Sequence, residues 1–334
     1  MMNGLADEKG TASCGAWFLS KVAVSVVLAL LIVGFVGMST ATAKASGSTL
    51  LRPATVSTQY ADATPAVVVF PTVTYVGWTG RNPAHNLNLM TYNAGRETFG
   101  PAIVLTDTTP VGSGPSLAKF GGSTIDHLYV AWQGTDDRLN VAHFNPNDPG
   151  QLANKVTLNE YSFNAPSLAV FSGRLYLSWR GTDGQLNIIS SADGITFDTK
   201  VVYNTQILTS PTLAPTPLFL EIGWEQASTQ AIVIAQYSTS HPLTLSAIVT
   251  TTSSSSLPIA LSFAGVAGYP ALVMAWRTAS DAYILLGYFG GTPTIRGIVN
   301  TGQTTPYGPA LERPWLSWTG TDGLQSVNLS TESL

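Results

Sequence analysis

Residues 175–197 read LYLSWRGTDGQLNIISSADGITF, and the fold turns on whether their polar centre is a catalytic motif or a turn between strands. The runs LYLSW and QLNIIS are leucine-rich, β-branched and aromatic, while GTDG and SADG hold the residues that tight turns require. Upstream, APSLAVF (165–171) ends in a Ser-Gly turn, and downstream DTKVVYN (198–204) supplies another apolar run. The local pattern is therefore four short strands joined by hairpins.

That unit recurs. Trp78, Trp132, Trp179, Trp224, Trp276 and Trp318 each end an apolar run, at separations of 54, 47, 45, 52 and 42 residues. Their contexts agree: TYVGWTG, LYVAWQGTD, LYLSWRGTD, LEIGWEQAS, LVMAWRTASD and PWLSWTGTD. A period of this size announces a repeat architecture. No segment beyond the N-terminal apolar run shows a 3.6-residue period, so helical solenoids are excluded and the copies read as propeller blades. Each inner strand is marked by a proline at its start: Pro65, Pro115, Pro166, Pro211, Pro258 and Pro309. A residue without an N–H is tolerated there and not in a central ladder. The fifth copy is interrupted by Pro270, and the sixth is short between Pro309 and Trp318.

The last copy ends after its third strand, while TLLRPATVSTQ (49–59) precedes the first copy and matches the outer strands PAIVLTDT, DTKVVYN and TIRGIVN. Lending it to the sixth blade closes the ring and removes an open edge. The expectation is an all-β, six-bladed propeller of four-stranded antiparallel blades over residues 47–334, with five or seven blades as the alternatives.

Composition fits. Only 10% of residues are charged and 45% are hydrophobic, against roughly 25% charged in an average chain. A net charge of −4 without a Lys/Arg cluster argues against a nucleic-acid partner. The lone Cys14 excludes an intrachain disulfide. Residues 22–38, VAVSVVLALLIVGFVGM, carry no charge and are followed by small residues at Ala41, Ala43 and Ala45. Residues 1–46 are thus expected to be a cleaved export signal or a retained membrane anchor, placing the propeller outside the cell.

SADGITF (191–197) resembles a degenerate Asp box, the S-x-D-x-G-x-x-W/F hairpin of sialidases and related BNR-repeat propellers, one residue short between Asp193 and the glycine. TYNAGRETF and FNPNDPG are weaker echoes. The resemblance implies a structural hairpin on the face away from an active site. It also implies, for a sialidase-like glycoside hydrolase, converging arginines, a Tyr/Glu pair and an acidic proton donor. The candidates are Arg52 in LLRPA, Arg180 and Arg277 after blade tryptophans, and Glu225 after Trp224. Arg52 departs from the family's arginine-proline motif by a missing intervening residue.

GTDG joins second and third strands and so opens on the opposite face. Asp136, Asp183 and Asp322 stand four residues after their tryptophans, Asp281 five after, with Asn82 and Ser228 near the other two. Such an acid bonds its own turn amides or offers acceptors to sugar hydroxyls. Tyr60, Tyr161, Phe163 and Tyr307 lie in the loops feeding inner strands, where flat aromatic faces suit carbohydrate CH surfaces. The histidines show no ligand spacing and no cofactor fingerprint is present, so neither metal nor cofactor is expected. The leading expectation is an exported, non-catalytic propeller that binds glycan or another cell-surface ligand through the GTD face, with Asp136, Asp183, Asp322, Arg180, Arg277, Tyr60, Tyr161 and Tyr307 as its ligand set. A sialidase-type hydrolase and a purely structural or protein-binding propeller are the alternatives.

Overall fold

The computed structural model describes residues 54–331 apart from 122–125, 146–147, 267–268 and 291–292. The apolar run at 22–38, Cys14 and Arg52 lie outside the described residues, as does the proposed boundary at 46/47.

All regular structure among the described residues is strand, arranged as six antiparallel sheets. The first blade holds β2 (Ala66–Val69), β3 (Thr74–Thr79), β4 (Asn86–Asn93), the short β5 (Thr98–Phe99) and β6 (Ile103–Thr108). The second holds β7 (Ser116–Gly121), β8 (Asp126–Gln133), β9 (Arg138–Phe144) and β10 (Leu152–Tyr161). The third is β11 (Ser167–Phe171), β12 (Arg174–Arg180), β13 (Gln185–Ser191) and β14 (Val201–Gln206). The fourth is β15 (Thr212–Pro215), β16 (Leu220–Glu225), β17 (Ala231–Tyr237) and β18 (Ser246–Ser254). The fifth is β19 (Ala260–Val266), β20 (Tyr269–Arg277), β21 (Tyr283–Phe289) and β22 (Arg296–Thr304). The sixth is β23 (Ala310–Glu312), β24 (Trp315–Thr319) and β25 (Ser326–Thr331), completed by β1 (Thr55–Tyr60) from the other end of the ring. Thr55 lies opposite Leu329 in that closing pair.

The ring matches the expected architecture, including its closure, and two local differences stand out. The first blade gains β5 as a fifth strand because the chain from Asn93 to Phe99 folds back on β4 before β6 begins. Pro270 does not break its blade; it pairs opposite Gly265 beside the turn, where a missing N–H costs little.

The blades are held by their faces. All six repeat tryptophans are at most 2% exposed, and burying one such side chain contributes about 1.5–3 kcal/mol. Trp224 with Leu220 and Ile222 packs on Tyr176 and Ile188 of the preceding blade, and the other junctions repeat this arrangement. Hydroxyls near the axis add polar stitches between inner strands. Leu168 N–H donates to Ser116 Oγ at 2.9 Å, Leu213 N–H to Ser167 Oγ at 3.1 Å and Arg313 N–H to Ser262 Oγ at 3.2 Å.

One regularity is specific to the face where inner strands begin. In every blade the outer strand bulges before its last pair, which joins Tyr60 to Ser326, Thr108 to Asn86, Tyr161 to Arg138, Gln206 to Gln185, Ser254 to Ala231 and Thr304 to Tyr283. Where the bulge carries a hydroxyl, it accepts the amide two residues on: Gln59 N–H to Ser57 Oγ, Ser253 N–H to Thr251 Oγ1 and Gln303 N–H to Thr301 Oγ1. Bulges re-aim side chains at a rim, and these turn the last outer residues toward the GTD face.

Candidate functional site: the GTD face and its blade junctions

The GTD turn is one member of a buried module. In four blades the tryptophan faces an asparagine across the hairpin: Trp78 and Asn88, Trp132 and Asn140, Trp179 and Asn187, Trp318 and Asn328. The asparagine Nδ2 donates to the carbonyl two residues earlier, at Asn86, Arg138, Gln185 and Ser326, over 2.7–3.0 Å. Each of those carbonyls also accepts the N–H of the glycine two after the tryptophan, so both lone pairs are used. A Cβ on Gly181 would stand 2.5 Å from Asp183 Oδ1 and 2.7 Å from Asn187 Nδ2, which is why that position lacks a side chain. The blades without the glycine, at Gln226 and Thr278, lack the asparagine too and have Val233 and Leu285 opposite the tryptophan.

The aspartates close the same turns. Arg138 N–H donates to Asp136 Oδ1 at 3.2 Å and Gln185 N–H to Asp183 Oδ1 at 3.0 Å. Asp322 is engaged twice by Ser326, whose hydroxyl donates to Oδ2 at 2.6 Å and whose amide donates to Oδ1 at 2.8 Å. These bonds, the hydroxyl's first, hold its carboxyl below the ordinary range. All three aspartates are exposed on the GTD face.

In five blades the residue after the tryptophan works at the junction between blades, while Gln133 of the second donates to Asp137 Oδ1 of its own turn at 2.8 Å. Thr79 Oγ1 donates to Ser113 O at 2.7 Å and Thr319 Oγ1 to Ala63 O at 2.6 Å, each reaching the loop that leads into the next blade. Arg180 Nε donates to Ile207 O at 2.8 Å and Arg277 Nε to Thr305 O at 2.8 Å in the same way. The two arginines therefore stand at separate junctions, between blades three and four and between blades five and six. They do not converge on the axis, where Arg313 is the arginine among the lining residues.

Glu225 corrects the sequence expectation most sharply. Named as a candidate acid by the resemblance to sialidases, it is fully enclosed in the junction between blades four and five. Its Oε1 accepts Ile259 N–H at 3.0 Å and its Oε2 accepts the Thr209 hydroxyl. Burial raises its carboxyl to about 8, against the lowering effect of those bonds. A closed carboxyl that ties two blades together has no path to a substrate.

Tyr60 and Tyr161 are exposed at the bulged ends of their outer strands, and Phe163, also exposed, lies in the following loop. Tyr307 is half-buried; burial raises its phenol, Asp62 raises it further and Arg81 opposes them. It belongs to a cluster that sequence reading missed. Arg81 Nε and His85 Nδ1 lie 3.6 and 3.2 Å from the Asp62 carboxylate, and Arg81 Nη1 donates to Gly323 O at 3.2 Å. These residues come from both ends of the ring, so only closure brings them together.

SADGITF lies on the opposite face. Ile195 and Thr196 amides donate to Asp193 Oδ1 at 2.8 and 2.7 Å, and Ser191 Oγ donates to Thr196 O at 2.7 Å. Led by the Thr196 and Ile195 amides, these bonds lower the Asp193 carboxyl to about 2. Gly194, at φ 75°, leaves room for Tyr129 of the preceding blade, whose hydroxyl donates to Asp193 O at 3.3 Å. The hairpin is a structural clasp.

No metal-binding group of His, Cys, Asp and Glu occurs among the described residues. No protein-family model matches the sequence, and no curated protein matches it either. Solved structures do match. A protein of unknown function from Dyadobacter fermentans aligns over 84% of this chain and 98% of its own at 13% identity, TM-score 0.61. The SapL1 lectin in complex with alpha methyl fucoside aligns over 86% and 96% at 12% identity, TM-score 0.57. Trypanosoma rangeli sialidase aligns over 82% of this chain and 55% of its own at 11% identity, TM-score 0.56, so this chain spans about half of that enzyme. The likeness is one of fold: the chain is a propeller similar in architecture to a lectin and to a sialidase.

Proposed function

We propose that the chain is an exported, non-catalytic propeller that binds carbohydrate at blade junctions on its GTD face. The observation that carries this is the anchoring of Arg180 and Arg277. Each spends Nε on a carbonyl of the loop leading into the next blade, and no bond to the outer guanidinium nitrogens occurs among the described residues. A planar fork fixed at its base is preorganised to donate two parallel bonds to vicinal sugar oxygens. Around Arg277 stand Tyr283, partly exposed, and the bonded hydroxyls of Thr304 and Thr321, 2.5 Å apart. Around Arg180 stand Gln206 and Asp183, with Oδ2 of Asp183 unused by its turn. Tyr60, Tyr161, Phe163 and Tyr307 offer aromatic faces on the same side. The fucoside complex of the SapL1 lectin supports the same class of ligand.

Hydrolysis is less well supported. It asks for clustered guanidinium groups and an accessible acid, whereas Arg180 and Arg277 are two blades apart and Glu225 is enclosed. Several weak sites on one face gain strength through multivalency. A glycan array probed with the chain is expected to give selective signals that free monosaccharide competes away. An array silent at high protein concentration would remove the reading.

A further inference from the structure

The six inner strands surround an axial cavity of about 470 Å³, within the roughly 300–1,000 Å³ of small-molecule sites. Its walls are mostly uncharged: inner-strand prolines, Ser and Thr hydroxyls, and apolar side chains including Phe263. Glu312 breaks that pattern. It is the last residue of β23, opposite Trp315 across the turn, and so lies toward the end of the cavity away from the GTD face. Its side chain is exposed to the cavity, and the desolvation imposed by the surrounding ring raises its carboxyl to about 7. No hydrogen bond or ion pair to that carboxyl occurs among the described residues. The other titratable or charged groups lining the cavity are Tyr307, whose phenol is raised, and Arg313, which is engaged in an interaction of its own.

A carboxyl that faces a largely uncharged cavity without a protein partner is disfavoured in its ionised form, and a ligand that supplies the opposite charge offsets this. An anionic or merely hydroxylic ligand does not. We propose that the axial cavity is a binding site for a small organic amine, with the ammonium against Glu312 and the apolar body against Phe263 and Pro215. The site is separate from the blade junctions and requires none of their residues.

Cyclohexylamine and cyclohexanol, matched in shape and differing in charge, test this on the full chain by calorimetry at low salt. The amine is expected to bind at least tenfold more tightly than the alcohol at pH 8. Its affinity is expected to fall about tenfold between pH 8 and pH 6, as the fraction of ionised Glu312 falls around a pKa of about 7. Glu312→Gln removes both the preference and the pH dependence, whereas Arg180→Gln with Arg277→Gln leaves both intact. Equal affinity for amine and alcohol, or a pH-independent preference for the amine, overturns the proposal using the unaltered chain alone, whatever the folding of the variant.

Discussion

Replacing Glu225 by glutamine is expected to make the protein more stable at pH 8 by a few kcal/mol while leaving its stability near pH 4.5 almost unchanged. The carboxyl titrates about 8 in the folded state, raised by burial, against 4.5 as its ordinary value. A raised acid favours the folded state fully below 4.5. As pH rises from there the unfolded chain ionises and the folded one resists, so stability falls until about pH 8 and then levels. Each unit of such a shift corresponds to about 1.4 kcal/mol, and with the group fully buried little of that is screened. Glutamine keeps the geometry: its oxygen accepts Ile259 N–H and its amide donates to Thr209 Oγ1. Glu312, raised to about 7, and Glu221, also raised by burial, act in the same window and direction. At the acid end the lowered Asp193 and Asp322 act oppositely, and what they contribute is lost as pH drops below the ordinary carboxylate range. The stability maximum is therefore expected near pH 4–5, earlier than in most proteins. Urea midpoints for both proteins from pH 4 to 9 check this, and parallel curves would show that Glu225 is not the group responsible.

Gly114→Ala is expected to cost about 3 kcal/mol or more, beyond the usual range for an overpacked site. Its Cβ would stand 2.1 Å from the Thr64 carbonyl oxygen, and that neighbour is backbone in the loop leading into blade one. Thr64 follows Ala63, whose carbonyl is held by Thr319 Oγ1 at 2.6 Å, so relief requires shifting the seam where the ring closes. Gly308 meets Pro258 O at 2.4 Å and is expected to behave alike. A methyl group on Gly150 would meet nothing within 4 Å, so that position serves as the neutral control. Loss at Gly114 no greater than at Gly150, measured by chemical denaturation, would mean that the seam yields.

The ring was legible because its signals are local and repeated. A tryptophan ends every second strand and a proline precedes every inner strand, so period, blade count and closure follow from burial and from the missing proline N–H. The Trp-Asn module was less visible, since the paired asparagine falls ten residues after Trp78 and Trp318 but eight after Trp132 and Trp179. The hairpins differ in length, and only the register aligns them. Outer-strand bulges left almost no mark, because Ser57, Thr251 and Thr301 look like ordinary strand residues until their hydroxyls are seen accepting amides. Arg180, Arg277 and Glu225 all follow a blade tryptophan, and nothing in the sequence separates their surroundings. In the folded chain that position lies at a junction, where a long arginine keeps its fork outward and a shorter glutamate is sealed in. Glu312 gave no signal at all, since a strand-end glutamate becomes unusual only when six inner strands surround it.

If the Arg180 and Arg277 junctions are two equivalent carbohydrate sites, their occupancy can be counted. The most direct test is a calorimetric titration of the monosaccharide that best competes on the array, with Arg180→Gln, Arg277→Gln and the double variant. Glutamine at these positions mimics Gln133 of the second blade and removes the guanidinium fork. Two sites per chain are predicted for the unaltered protein, one for each single variant and none for the double. A double variant that binds with unchanged stoichiometry and affinity would contradict the assignment.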